Sequence, residues 1–260
     1  MQRGSGATGT GFKDYFSEQS QDYNQYRPHY PAELFGYLAS ISSGHDRAWD
    51  CATGSGQSAV ALTPYFTEVV ATDASENQIR HAVRRDNLIY RCELAEKTSF
   101  GDASVDLVTV SQALHWFDID AFSREVQRVL RPGGILAAWC YGLQRIDPEV
   151  DRVIGYFYGP LLKGFWPPER RDIEQGYRNL HIPLKPLDTA EFDMQARWTL
   201  SQLTGYLRTW SSVKRYQADK GENPVDIIHD RLLGAWGNPQ DRKLLSWRLS
   251  LRLWKYTTGY

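Results

Sequence analysis

The chain is poor in sulfur, with only 3 cysteines and 2 methionines among 260 residues, and it has no Cys-x-x-Cys pair. That excludes a disulfide framework and a cysteine-based zinc site, since both need paired thiols at set spacing. Cys51, Cys92 and Cys140 each fall in or beside an expected strand and are read as buried, reduced thiols of a cytoplasmic protein. Long hydrophobic runs are missing too. A membrane-spanning helix needs about 20 consecutive apolar residues, and no stretch comes near that length. The start shows no charged-then-apolar leader. Net charge is scarce, at −1, which leaves no overall basic excess for nucleic acid or an anionic membrane surface. Residues 1–11 hold mostly Gly, Ser and Thr and are expected to be disordered.

Aromatic residues, by contrast, are plentiful: 9 Trp and 15 Tyr stand within an ordinary hydrophobic fraction of 42%. Such side chains fill cores, and they also line apolar pockets with a polar edge. Charge is unevenly spread. Residues 1–140 carry 12 Lys and Arg against 17 Asp and Glu, a balance of −5; residues 141–260 carry 18 against 14, a balance of +4.

From residue 12 to 140, apolar runs alternate with helical stretches, the pattern of a parallel sheet covered on both faces. Strands are expected near 48–51, 69–73, 89–94, 105–110 and 134–140, and helices over 12–20 and 31–41. The two prolines Pro28 and Pro31 forbid one continuous helix across that last pair. Ser75-Glu76-Asn77-Gln78 and Thr199-Leu200-Ser201-Gln202 both read as capping boxes. Ile119, Phe122, Val126, Val129 and Leu130 repeat at helical spacing, so their helix lays one face on the sheet. A strand is expected near 190–197, and 247–254 alternates with period two, as a strand with one exposed face does. Domain-scale linkers and repeats are absent, so 12–260 reads as a single domain.

One loop concentrates the ligand-binding signal. An apolar strand ends at Asp50-Cys51, then Ala52-Thr53-Gly54-Ser55-Gly56-Gln57 turns into a helix. Gly54 and Gly56 lack a Cβ, so the backbone can turn tightly and approach a ligand across the strand end. Asp73 closes the next strand, placed to accept hydrogen bonds from both hydroxyls of a ribose. A Gly-rich first turn with an acid ending the second strand is how open α/β sheets hold a nucleoside. Gly54-x-Gly56-x-x-Ala59 taken alone equally fits a dinucleotide site, so a nicotinamide-dependent oxidoreductase is one alternative.

Further residues separate these readings. Asp50 suits a ligand ammonium better than a pyrophosphate. Val105–Val110 leads into Ser111-Gln112-Ala113-Leu114-His115-Trp116-Phe117, and Leu130-Arg131-Pro132-Gly133-Gly134 closes a helix and opens a strand. In this order and spacing the motifs resemble the class I S-adenosylmethionine-dependent methyltransferases, most of all the small-molecule branch that includes trans-aconitate methyltransferases. The resemblance is close over about 12–140 and loose beyond.

It implies an α/β, Rossmann-like, seven-stranded, mostly parallel sheet with helices on both faces and an α-helical cap insertion. Residues 12–140 would form the N-terminal lid and cofactor core, 141–189 the acceptor-binding cap, and 190–260 the C-terminal part of the sheet with its helices. The donor implied is S-adenosylmethionine, held by Arg27, Asp50, Ala52, Gly54, Gly56, Asp73, Ala74, Ala95, Glu96, Gln112 and Ala113. Ala52 stands where most relatives have a glycine, which an ordinary strand-end conformation would tolerate, and Leu94 stands where many have an Asp.

An acceptor pocket is expected from Tyr23, His115, Trp116, Tyr141, Tyr156 and Trp166. His115 either takes a proton from an acceptor hydroxyl or amine, or orients an acceptor carboxylate by hydrogen bonding. The expected activity is methyl transfer to a small-molecule oxygen, a carboxylate or a hydroxyl. Arg145, Arg170 and Arg171 and the positive half of the chain favour an anionic acceptor. Only Asp118 offers itself as a metal ligand near this place, so no metal is expected. A methyltransferase-like scaffold that binds the cofactor without catalysis is the remaining alternative.

Overall fold

The structure is a computed structural model and describes residues 28–258. The expected helix over 12–20, with Tyr23 and Arg27, lies outside the described residues. Helix α1 spans Ala32–Ile41 and leads into strand β1, Arg47–Cys51. There follow α2 (Gln57–Leu62), β2 (Glu68–Asp73), α3 (Glu76–Arg80), β3 (Leu88–Cys92) and β4 (Val105–Ser111). Helix α4 (Ile119–Val129) runs straight into β5 (Leu130–Tyr141). Then come α5 (Pro148–Tyr156), a π-helical turn at Phe157–Leu161, and α6 (Arg170–Glu174). Strands β6 (Lys185–Leu187) and β7 (Asp193–Trp198) precede α7 (Leu200–Arg208), α8 (Ser211–Lys220), α9 (Pro224–Trp236) and β8 (Lys243–Lys255).

The sheet order is β3-β2-β1-β4-β5-β8-β6, with β7 paired to β8. Strands β1 to β5 are parallel, and β8 runs antiparallel to β5. Strand side chains alternate between faces, and the core divides accordingly. Ala48, Val69, Leu107, Ala137 and Trp139 pack with α1, α2, α5 and α7–α9. Trp49, Val70, Val108, Leu136 and Ala138 pack with α4 on the other face. Phe122, Val126 and Val129 of α4 are fully buried, as their spacing predicts.

The expected seven-stranded sheet has eight strands. The seventh position is shared by two short strands against one long one. β6 pairs with β8 at Leu253–Lys255 and β7 pairs with it at Lys243–Arg248. The chain parts from β8 around 188–192 and returns at Phe192, whose carbonyl accepts from the Leu249 amide (2.9 Å). Three residues containing Pro186 carry almost no strand signal, which is why β6 was invisible inside the segment read as cap.

Two smaller expectations also fail. The Ser75 side chain makes no capping bond; instead its amide donates to Asp73 Oδ1 (2.9 Å). Thr199 and Gln202 do form the second capping box. Cys51 and Cys140 are buried, but Cys92, at the end of the outermost parallel strand, is exposed. Among the described residues no helix is long and apolar enough to cross a membrane.

Candidate active site

The sheet order reverses direction between β1 and β4, and ligands gather at such a switch point, beyond the C-terminal ends of the strands. Asp50, Asp73, Gln112 and Tyr141 all stand at those ends. Ala52 has φ 53°, Gly54 57° and Gly56 86°, so the loop makes three left-handed steps. The expectation of ordinary geometry at Ala52 is therefore wrong: its Cβ sits in a conformation that costs about 1–2 kcal/mol outside glycine. The Ala52–Gly56 turn must drop into α2 within a few residues, and that geometry overrides local preference.

The two glycines serve different ends. A Cβ on Gly54 would meet nothing within 4 Å, so open space adjoins this residue. A Cβ on Gly56 would come within 2.1 Å of Tyr90 Oη, so its close approach is to Tyr90. Asp73 Oδ2 accepts from the Gly54 amide (2.8 Å), which ties the end of β2 to the loop. This half-buried carboxylate, oriented by the Gly54 and Ser75 amides beside open space, fits the ribose diol that the sequence reading calls for. Ala74 beside it is half-buried.

Asp50 is fully buried. It accepts from Thr53 Oγ1 (2.6 Å) and Thr109 Oγ1 (2.7 Å), two hydroxyls the sequence reading overlooked. Burial raises its carboxyl to about 6 although both hydroxyls favour the ionised form. A cationic ligand group beside it would restore the charge. Ala95 is buried in the turn after β3, and Glu96 accepts from the Asp118 amide (3.1 Å), while Leu94 is exposed. Gln112, at φ 56°, directly follows β4; its amide donates to Trp139 O (2.9 Å) and its side chain to Tyr141 O (3.2 Å). Ala113 follows it, buried.

His115 lies in the short turn Leu114–Trp116, its ring 4.7 Å from that of Trp116. Its Nδ1 is 3.1 Å from Tyr177 Oη, and the two rings stack at 6.1 Å and 26°. Burial first, then the charge of Arg170, lowers the imidazole to about 3. It is therefore neutral at physiological pH. The same Arg170 charge acts on buried Cys140, whose thiol burial pushes up to about 12.

Arg170 is half-buried over the rings of Trp166 (4.8 Å) and Tyr158 (5.4 Å), and its Nε donates to Tyr158 Oη (3.0 Å). Among the described residues it forms no ion pair, and Glu174 is reached only through the Tyr158 hydroxyl. Trp166 Nε1 donates to Tyr158 O (2.9 Å), which braces the platform. Tyr141 is buried with its ring 6.4 Å from Tyr30. Tyr30 in turn acts on Tyr177.

The structure thus gathers His115, Trp116, Trp166 and Tyr141 around Tyr177, Tyr30 and Arg170. Tyr156 stands apart, exposed on α5 under Arg231 of α9 (5.5 Å). Tyr177 was not singled out, because one tyrosine in an aromatic-rich stretch carries no local signal. Only its place after Gly176 hinted at a fixed turn. Among the described residues no three His, Cys, Asp or Glu side chains cluster as a metal site would require.

Known proteins similar to this chain are named as methyltransferases. A family profile described as a methyltransferase domain matches residues 49–138. A Dictyostelium discoideum protein named as a methyltransferase is 32% identical over 92% of this chain and 92% of its own length. A Saccharomyces cerevisiae protein named as an S-adenosylmethionine-dependent methyltransferase is 26% identical over 82% of this chain and 87% of its own. The solved structure of an Anaeromyxobacter dehalogenans protein, named as a type II methyltransferase, superposes with a TM-score of 0.84 at 40% identity. That match covers 88% of this chain and 98% of the other.

Proposed function

The chain belongs to the class I S-adenosylmethionine-dependent methyltransferases, and from that premise we propose that it methylates a carboxylate or hydroxyl oxygen of a small anionic molecule. We place it in the small-molecule branch resembling the trans-aconitate methyltransferases, in the reducing cytoplasm, with no nucleic-acid substrate. The segment between β5 and β6, residues 142–184, supplies the acceptor cap. When bound, S-adenosylmethionine supplies an electrophilic methyl on a cationic sulfur that leaves as a neutral thioether.

The observation that carries the acceptor reading is Arg170: a half-buried guanidinium with no carboxylate partner among the described residues, close enough to His115 to depress its pKa. Such a charge in a partly dry site favours an anionic ligand. The protein's residues then align and exclude water, since an in-line displacement needs little acid–base help. Asp73 is assigned to the ribose, Asp50 to the ammonium, and Ala52, Gly54, Gly56, Ala74, Ala95, Glu96, Gln112 and Ala113 to the walls of the cofactor cleft.

Calorimetric titration with S-adenosylmethionine and with its demethylated product tests the cofactor half: micromolar binding of both is expected, lost in Asp73→Ala. A panel of small carboxylic acids with their alcohol and neutral amide counterparts tests the acceptor half. Turnover confined to anions, with KM raised at least about tenfold in Arg170→Met, is the expected result. Equal turnover of neutral acceptors would rule it out.

A further inference from the structure

The turn that follows α6 has an unusual feature directed at this site. Gly176 (φ 59°) donates to Ile173 O (2.9 Å) and Tyr177 to Asp172 O (2.9 Å), the paired bonds of a Schellman stop. Such a stop needs one left-handed residue, normally glycine. Here Tyr177 is left-handed as well, at φ 59°. A bulky residue holds that conformation only when its surroundings impose it, and such strain gathers at functional positions. A Cβ at Gly176 would come within 2.8 Å of Ser250 Oγ, so the turn is pressed against β8 and cannot relax outward. Tyr177 is fully buried, and its hydroxyl is delivered to His115 Nδ1 at 3.1 Å.

The direction of that hydrogen bond follows from satisfaction. A buried hydroxyl must place its proton on an acceptor. Burial holds the Tyr177 phenol well above its ordinary value, so the proton stays on, and the Leu114 amide acts on the oxygen as a donor. Among the described residues the acceptor within reach is His115 Nδ1 (3.1 Å). A neutral imidazole that accepts at Nδ1 carries its proton at Nε2.

We propose that Tyr177 is a positioning residue: the strained turn Gly176–Tyr177 delivers its hydroxyl to His115 Nδ1 and locks the imidazole as an Nε2–H donor toward the acceptor. His115 then offers a hydrogen bond and takes no proton. An acceptor carboxylate needs nothing more: its oxygen forms the new C–O bond as the C–S bond breaks with its electron pair onto sulfur, and no proton moves. Of the two oxygens allowed under the proposed function, on which this inference rests, the ionised carboxylate is the one such a donor serves. Arg170, whose charge is felt at His115, holds the acceptor's charge.

Nitrogen NMR of the full-length protein labelled at histidine nitrogens tests the lock without any acceptor. Assignment of the His115 signals comes from their loss in His115→Gln. The wild type is expected to show His115 as the neutral Nε2–H form throughout pH 5 to 8. In Tyr177→Phe, which keeps the ring and the turn, a mixture of both neutral forms is expected. With the best anionic acceptor, that variant should also lose about tenfold in kcat while S-adenosylmethionine affinity is unchanged. An Nδ1–H form in the wild type, or identical nitrogen shifts in Tyr177→Phe, overturns the proposal. The tautomer result stands even if no anion is methylated, in which case the acceptor reading fails by itself.

Discussion

Ala52 occupies a backbone conformation that glycine adopts at lower cost. Substituting Ala52→Gly relieves the left-handed strain of about 1–2 kcal/mol and gives back part of that gain as added freedom of the unfolded chain, about 0.4–1 kcal/mol. A net stabilisation of about 0.5–1 kcal/mol is expected in urea denaturation. A loss would mean that the methyl group contributes packing the geometry does not reveal. Asp50 presents the opposite case, a conformationally ordinary residue in a costly environment. Its carboxyl at about 6 is protonated in mildly acidic solution, and a protonated acid cannot pair with an ammonium. Affinity for S-adenosylmethionine should therefore fall below pH 6 by up to about tenfold per pH unit, as titrations at pH 5, 6 and 7.5 would reveal. A flat profile would remove Asp50 from the ammonium contact.

The loop between β1 and α2 depends on an element that is remote in sequence. Tyr90 of β3 lays its hydroxyl, bonded to Val83 O (2.7 Å), against the Gly56 backbone. Gly56→Ala should cost more than about 2 kcal/mol, from φ 86° together with the 2.1 Å approach to Tyr90 Oη. Tyr90→Phe removes that oxygen, so the double variant should recover part of the loss. Strict additivity in thermal denaturation would refute the contact. At the far end of the sheet, buried Asp106 of β4 accepts from the amides of Asp46 and Arg47 (both 2.9 Å) and from Arg131 Nη1 (2.7 Å). It pins the start of β1 to β4 and β5, and so sets the level at which Asp50 and Gln112 emerge on the opposite side. Asp106→Ala leaves the Asp46 and Arg47 amides without their acceptor and Arg131 with only the exposed Asp46, at a cost of about 3 kcal/mol measurable by denaturation.

Across the whole molecule two buried groups pull stability in opposite directions with pH. His115 titrates near 3 when folded, below its unfolded value of 6.5, so the unfolded chain binds more protons between those limits. Its contribution is complete above pH 6.5 and is lost as pH falls. Asp50 titrates near 6 when folded, above 3.8, so the folded chain binds more protons there and gains stability on acidification. Between about pH 6 and 4 the two partly cancel. In Asp50→Asn only the histidine effect remains, and the loss of stability from pH 6.5 to 4 should be steeper than in wild type. A loss no steeper than in wild type, in denaturant titrations, would contradict the raised carboxyl of Asp50.

Much of this was legible along the chain. Strands β1, β2, β4 and β5 announce themselves as apolar runs because both their faces are covered, and α4 shows its buried stripe at helical spacing. The glycine loop, Asp50 and Asp73 are local signals, since a tight turn and a strand-end acid are written in adjacent residues. The split seventh strand was hidden, because β6 pairs with a strand near the other end of the numbering and holds a proline. So was Ala52's strain, which the path of the chain into α2 imposes. On the acceptor side the sequence offered His115, Trp116, Tyr141, Trp166 and Arg170, but how they meet belongs to the tertiary structure. His115 comes from the turn after β4, and Arg170 and Tyr177 from α6 and the turn that follows it; only folding gives the tyrosine a histidine to hold and leaves the arginine no acid among the described residues. Backbone conformation is coded over a few neighbouring residues, whereas burial, charge pairing and the direction of a hydrogen bond depend on what the fold brings alongside.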